Sequence, residues 1–287
     1  MPTYRERVAE DVYMFTSGLY AQVTAGVIVT SEGCVVVDTL PFPQETRELR
    51  AFAESVSPRG VRYVMVTHYH ADHTNGLYLF PEAEVICHKR CRELLMKLGQ
   101  RGLEEAKKQT PELAEVQLRI PRVTFDDTAT VRLGDKTITA IYAPGHSPDG
   151  AMIYVKELKV LFAGDTVMPV PYIVGGDVQA MIESLRKVRQ LSLESIVQGH
   201  GEVLLRGEIN EVIEGSIAYL ETIQRIAREH VESGQPRQAL ARIDIESCGK
   251  SRIPLGGLVQ SLHRANLFYL YDQYRAERAR QAREVAA

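Results

Sequence analysis

Cysteine is scarce in this chain: four residues, Cys34, Cys87, Cys91 and Cys248, are scattered over 287 positions. That number and spacing exclude a disulfide framework as the source of stability in a chain of this length. Long apolar runs are missing as well, and none reaches the roughly 18 residues that a membrane span needs. Charge of one sign is not in excess, since 34 basic and 37 acidic residues leave a net charge of −3. Such a balance supplies no global field to attract nucleic acid or an anionic membrane. The first residues, MPTYRERVAEDVYMF, are charged and hold no apolar stretch of the kind found in secretory signals. No internal repeat, low-complexity tract or linker is visible. These absences lead to the expectation of a cytoplasmic protein with a small-molecule substrate. No nucleic-acid or membrane partner is expected, and a homo-oligomer is left open.

What is present is a chain long enough to bury a sizeable core. Its first forty residues alternate β-branched runs (VYMF, QVTAGVIVT, CVVVDT) with the turn signals SGLY and SEG. Leu49, Phe52, Ala53 and Val56 then recur at helical spacing, which predicts a helix over 44–57. RYVMV, EVICH, VTF, ATVRL, KTITAIYA, AMIYV and KVLFAGD read as further strands, as does SIVQG before His200. A helix is expected from the N-cap residue Asp177, burying Met181, Leu185, Val188 and Leu191. Two more are expected over 208–232 and 258–274. Residues 97–122 are polar and helix-prone and read as an insertion over one face. Two strand-then-helix halves in one chain point to α/β layers, sheets flanked by helices.

The chemistry is concentrated in Thr67 to Asn75, THYHADHTN, where His68, His70, Asp72 and His73 fall within six positions. In an extended strand, four residues span about 13 Å, whereas metal–ligand bonds measure about 2.0–2.2 Å. The segment must therefore curl as a loop, and it divides its ligands more readily between two metals than around one. Three further candidates, His146 in APGHSPDG, Asp165 in FAGDT and His200 in VQGHG, each follow a glycine just beyond an expected strand. Residues held at strand ends in Gly-assisted loops are well placed to converge.

This ordered set, H-x-H-x-D-H followed by a single His, an Asp in a GDT turn and a last His after a strand, resembles the metallo-β-lactamase superfamily over roughly residues 10–205. The resemblance implies a four-layer αββα sandwich (1–205) with C-terminal helices (206–287) packed on the same domain. It implies that His68, His70 and His146 bind one divalent metal and that Asp72, His73 and His200 bind a second, with Asp165 bridging. Asp38 in VVVDT matches an aspartate that supports the ligands from behind. Nitrogen and carboxylate donors without thiolate suit Zn²⁺ and tolerate Mn²⁺ or Fe²⁺. Two such ions share a hydroxide near neutral pH, and Asp72 is the expected group to orient it and relay its proton. The function so implied is a binuclear metal-dependent hydrolase that cleaves a small ester, thioester or lactone. The alternatives are a phosphodiesterase or nuclease of the same fold, or β-lactam hydrolysis as a main or side activity.

Within the superfamily the bridging Asp165 resembles the thioesterase, glyoxalase II and lactonase-like branches, since zinc β-lactamases usually carry Cys or Ser there. The basic C-terminal glutathione motif of glyoxalase II has no match. Acyl-homoserine lactonases place a Tyr where this chain has Met168, with Tyr172 nearby. The substrate arm of transfer-RNA processing nucleases is absent, and so is the flavin domain of flavodiiron proteins. Persulfide dioxygenases leave the second metal site unused, whereas this chain keeps all of its ligands.

Other polar residues carry a plainer expectation. Cys87, His88 and Cys91 in ICHKRC read as a strand end and a helix start rather than a soft metal site. His230 and His263 fall on expected helices as surface or satisfied core residues. The Arg-rich tail YRAERARQAREVAA reads as a solvated or subunit-contacting helix face. Tyr69 either faces substrate or packs beside the metals, and residues 247–257 read as a connector rather than a lid.

Overall fold

The computed structural model describes residues 3–285. The first half runs β1 (Tyr4–Ala9), β2 (Val12–Thr16), β3 (Thr24–Thr30), β4 (Gly33–Val37), α1 (Pro43–Val56) and β5 (Val61–Met65). It continues through α2 (Ala71–Thr74), β6 (Glu84–His88), α3 (Lys89–Leu94), α4 (Gln100–Gln109) and β7 (Val123–Phe125). The second half comprises β8 (Thr128–Leu133), β9 (Lys136–Tyr142), β10 (Ala151–Val155), β11 (Val160–Phe162), α5 (Val178–Val188), β12 (Ser195–Val197) and β13 (Val203–Leu205). Two 27-residue helices, α6 (Arg206–Glu232) and α7 (Val259–Val285), end the chain. Among the described residues no helix is long and apolar enough to cross a membrane.

The strands form a seven-stranded sheet in the order β1 to β7 and a six-stranded sheet in the order β13-β12-β11-β10-β9-β8. Alternation along the strands decides which core each side chain enters. Ile28, Val35, Val37 and Met65 point toward Ile138, Ile153, Val160 and Phe162 of the other sheet. Val27, Cys34, Val36 and Val64 point the opposite way, onto Leu49 and Ala53 of α1. On the outer face of the second sheet, Met152, Leu161 and Ile196 pack with Met181 and Leu185 of α5, Leu220 of α6 and Leu267 of α7. The result is the four-layer αββα sandwich with C-terminal helices. Each fully buried Leu, Ile or Met contributes about 1.5–3 kcal/mol. Gly26 sets the sheet spacing: a Cβ there would lie 2.1 Å from the Phe162 ring, so only glycine lets the ring seat.

Several expectations are corrected. β1 and β13 fall on stretches not expected to be strands; β1 is largely exposed and β13 has three residues. Helix α5 ends at Val188, so Leu191 packs from the turn that follows. Helix α7 outlasts the expected 258–274 because its charged tail keeps good helix formers. The His-rich segment is not a loop throughout. His70 is the N-cap of α2, and Asp72 and His73 lie in that helix's single turn.

Candidate metal centre

Strands β4 to β7 are parallel and so are β11 and β12, so their carboxyl ends share one edge. The chain leaves β4 at Asp38, β5 at His68, β11 at Asp165 and β12 at His200. Two backbone bonds lace the sheets together there, Ala151 N to Thr67 O at 2.7 Å and Thr24 N to Gly199 O at 2.9 Å. The β9–β10 connection delivers His146 to the same place.

All seven candidate ligands converge in two groups. His68, His70, His146 and Asp165 place one donor atom each within 4.8 Å of one another, and so do Asp72, His73 and His200. In the first group His70 Nδ1 lies 2.9 Å from both His68 Nε2 and His146 Nε2. Asp165 joins the groups. Its Oδ2 is 3.2 Å from His146 Nε2 and 3.5 Å from His200 Nε2, while its Oδ1 is 3.3 Å from His73 Nε2. Asp72 Oδ2 stands 3.4 Å from His200 Nε2 and 3.7 Å from His73 Nε2. Gly199 makes this approach feasible, because a Cβ there would sit 2.1 Å from Asp165 Oδ1.

The outward nitrogens are held by groups behind the cluster. His73 Nδ1 pairs with Asp38 Oδ2 at 2.8 Å, and Asp38 also accepts from the Thr67 amide at 2.8 Å and hydroxyl at 2.7 Å. His146 Nδ1 donates to the Tyr172 carbonyl at 2.7 Å, and His200 Nδ1 to the Ala21 carbonyl at 2.9 Å. A proton committed to Nδ1 leaves the Nε2 lone pair of His146 facing the other donors. Buried Asp149 Oδ2 accepts from the Tyr69 amide at 2.8 Å, fixing the backbone between His68 and His70. Asn266 of α7 donates to the Pro171 carbonyl at 2.7 Å and accepts from the Ile173 amide at 3.0 Å, clamping both neighbours of Tyr172. Asp149, Asn266 and the two carbonyls were not legible as site residues. The Asp in SPDG was the only signal, and it reads equally as a turn residue.

Burial holds His68 well below its ordinary pKa and, with the nearby His146, brings His70 down to about 4. Burial also opposes charge on His73 and His200. There the carboxylates win, with Asp72 and Asp165 raising His73 and lifting His200 to about 10. The same pairing overrides burial at Asp72, held down to about 2 by His73 and His200. His73 Nε2 and Asp165 Oδ1, though 3.3 Å apart, are buried without an aligned hydrogen bond, a costly arrangement unless another group satisfies them. Five imidazoles and two carboxylates that converge with two of their donors orphaned fit divalent cations of the zinc type.

A sequence model described as the metallo-beta-lactamase superfamily matches residues 20–200. The chain belongs to this superfamily. It is 26% identical over 201 residues to the atrochrysone carboxyl ACP thioesterase of Aspergillus fumigatus, covering 67% of this chain and 56% of that protein. It is 29% identical over 154 residues to the human acyl-coenzyme A thioesterase MBLAC2, covering 47% and 54%. The chain thus spans about half the length of the curated relatives it matches. Among solved structures, a metallo-beta-lactamase from Pontibacter korlensis superposes with a TM-score of 0.62 at 18% identity, over 76% of this chain and 99% of that one.

The remaining polar candidates separate cleanly from the cluster. Cys87, His88 and Cys91 are buried at the β6–α3 junction, where His88 Nδ1 accepts from the Arg90 amide at 3.3 Å. His263 is buried between the Tyr219 hydroxyl, at 2.9 Å, and the Ile243 carbonyl, at 3.2 Å. His230 Nδ1 bonds to the Ile226 carbonyl one helical turn back. Met168 is buried, and Tyr172 reaches the cluster through its carbonyl. Lys250, Ser251 and residues 253–256 border a cavity of about 620 Å³ that includes Gly201, beside His200. Tyr20, which sequence reasoning passed over, is raised in pKa by burial and by the negative charges of Asp72 and Asp165.

Proposed function

We propose that this protein is a binuclear metal-dependent hydrolase of small esters, thioesters or lactones, with thioesters foremost. One observation carries the reading. Two donor groups are joined by Asp165, whose Oδ1 is buried and unpartnered opposite the equally unpartnered His73 Nε2. His68, His70 and His146 would hold one cation, Asp72, His73 and His200 the other, and Asp165 both. When bound, zinc, or manganese or iron in its place, supplies Lewis acidity and lowers the pKa of water to about 7.

The chain's own residues do the rest. Asp72 is the more solvent-accessible of the two carboxylates, 18% against 5% for Asp165. It orients the attacking water, takes its proton and passes it to the leaving group. Asp38 keeps His73 and the Thr67 backbone in register, and the Tyr172 and Ala21 carbonyls fix the rings of His146 and His200. Thioesters lead because two curated relatives are named as thioesterases. We assign residues 1–205 to the catalytic sandwich and 206–287 to a helical extension packed upon it. We place the protein in the cytoplasm, in keeping with four buried cysteines free of disulfides.

The test is hydrolysis by zinc- and manganese-reconstituted protein across thioesters, lactones, aryl esters, phosphodiesters and a chromogenic β-lactam, with metal content measured alongside. Chelator-sensitive thioester, ester or lactone cleavage with two metals per chain is the expected result. Phosphodiester cleavage alone, or full activity after chelation, overturns it.

A further inference from the structure

A cavity of about 220 Å³, lined in part by His70, lies between α2 and the α3–α4 segment. Its walls include Tyr69, Leu95, Leu98, Leu103, Val116 and Leu118, and no Asp, Glu, Lys or Arg side chain lines it. His70 belongs to both places. It lines the cavity, and its Nδ1 is 2.9 Å from His68 Nε2 and His146 Nε2. Leu98, 43% exposed, stands at the cavity wall.

We propose that this groove is an acyl-chain subsite, which makes the substrate an ester or thioester of an aliphatic acid rather than a small polar acyl compound. The inference rests on the hydrolase reading above and names its substrate class. Three observations favour an alkyl chain as occupant. The walls offer no charge to pair with a phosphate or carboxylate, so the polar part of the substrate lies elsewhere. The cavity is smaller than the roughly 300–1,000 Å³ of a pocket that holds a whole ligand, so it takes one arm of a molecule. That arm begins at His70, which puts the carbonyl carbon beside the cluster and the chain along Leu98, Leu103 and Leu118. Tyr69, whose ring centroid is 4.6 Å from that of His70, forms the wall nearest the carbonyl.

Gly102 provides the test. It lies exposed on α4 at the groove, and a Cβ there meets no heavy atom within 4 Å. Phenylalanine at this position is also a better helix former than glycine, so the Gly102→Phe chain keeps its fold while the ring occupies the space. The zinc-reconstituted full chain is assayed on a thioester series from acetyl to dodecanoyl carrying one small thiol. Each methylene that enters the groove should raise kcat/KM about fourfold until the groove is full. Gly102→Phe should lower the octanoyl-to-acetyl ratio by roughly tenfold or more, the loss of about two methylenes.

Titration of the same zinc-loaded chain with octanoate, read by leucine-methyl NMR, gives a measure independent of turnover. Saturable shifts should appear at Leu95, Leu98, Leu103 and Leu118, and Gly102→Phe should abolish them. A flat chain-length profile, or a rising one that Gly102→Phe leaves intact, overturns the subsite. Leucine shifts without turnover of any ester or thioester would uphold the groove and sink the hydrolase reading. Neither shifts nor turnover would sink both.

Discussion

Asp38 is the most exacting test of how the centre is held. Its carboxylate is buried and accepts three hydrogen bonds of 2.7–2.8 Å, from the Thr67 amide, the Thr67 hydroxyl and His73 Nδ1. Bonds to a carboxylate contribute about 1.5–3 kcal/mol each. Because they share one acceptor, their loss falls short of the simple sum and comes to about 4–5 kcal/mol. Asp38 also has φ +56°, a conformation that asparagine tolerates and that costs alanine about 1 kcal/mol or more. Asp38→Ala therefore removes about 5 kcal/mol, comparable with the whole stability of a marginal domain.

Asp38→Asn is the tractable variant. It keeps one acceptor oxygen for the Thr67 amide and keeps the backbone conformation, and the Thr67 hydroxyl can turn to accept. It presents an N–H to His73 Nδ1 where an acceptor is needed. The expected loss is about 2–3 kcal/mol in urea unfolding at saturating zinc. A competing chromophoric chelator should report metal affinity lower by about 10–100-fold. An Asp38→Asn protein within about 0.5 kcal/mol of the parent, with unchanged affinity, would refute this account of Asp38.

Other substitutions separate the cluster from its surroundings. Asp165→Ala removes the carboxylate that stands between the two donor groups; elemental analysis should find metal lost and assays should find hydrolysis abolished. Cys87→Ala, buried in the core behind α1, should leave metal content and turnover intact at a stability cost of about 1 kcal/mol. Asn266→Ala leaves the Pro171 carbonyl and the Ile173 amide without their buried partner. It should cost about 2–4 kcal/mol and lower kcat, with metal retained, by freeing the Tyr172 carbonyl that fixes His146. Since His73 and His200 have raised pKa values, the latter about 10, both hold protons at neutral pH without a cation. Zinc must displace them, so affinity should rise with pH, and calorimetry in buffers of different ionisation enthalpy should show about two protons released per chain. The sign for stability is the reverse. The contribution of these pairs to the metal-free chain is complete below about pH 6.5 and is lost as pH rises toward 10, which urea titrations across that range would follow.

By itself, the sequence determined the alternating apolar faces and the candidate donors, while the four-layer order was implied by the family resemblance. Period-two runs such as Ile28, Val35 and Val37 against Val27, Cys34 and Val36 already divide into two faces, because side-chain direction alternates in any strand. His68, His70, Asp72, His73, His146, Asp165 and His200 stand out because they are polar residues placed just after apolar runs. Only the tertiary structure decided how those donors face one another, since Asp165 meets His73 and His200 only after β5, β11 and β12 share an edge. It also decided what supports them. The Ala21 and Tyr172 carbonyls that hold His200 and His146 are groups every residue possesses, so no letter in a sequence can mark them. Asn266 reaches Pro171 across 95 positions, and Asp149 reaches Tyr69 across 80. The groove beside His70 has the same origin: Leu98, Leu103 and Leu118 lie within 97–122, which reads from sequence only as a polar, helix-prone insertion. They became a wall because the α3–α4 segment and the stretch through Leu118 pack near the His-rich segment without filling the space between.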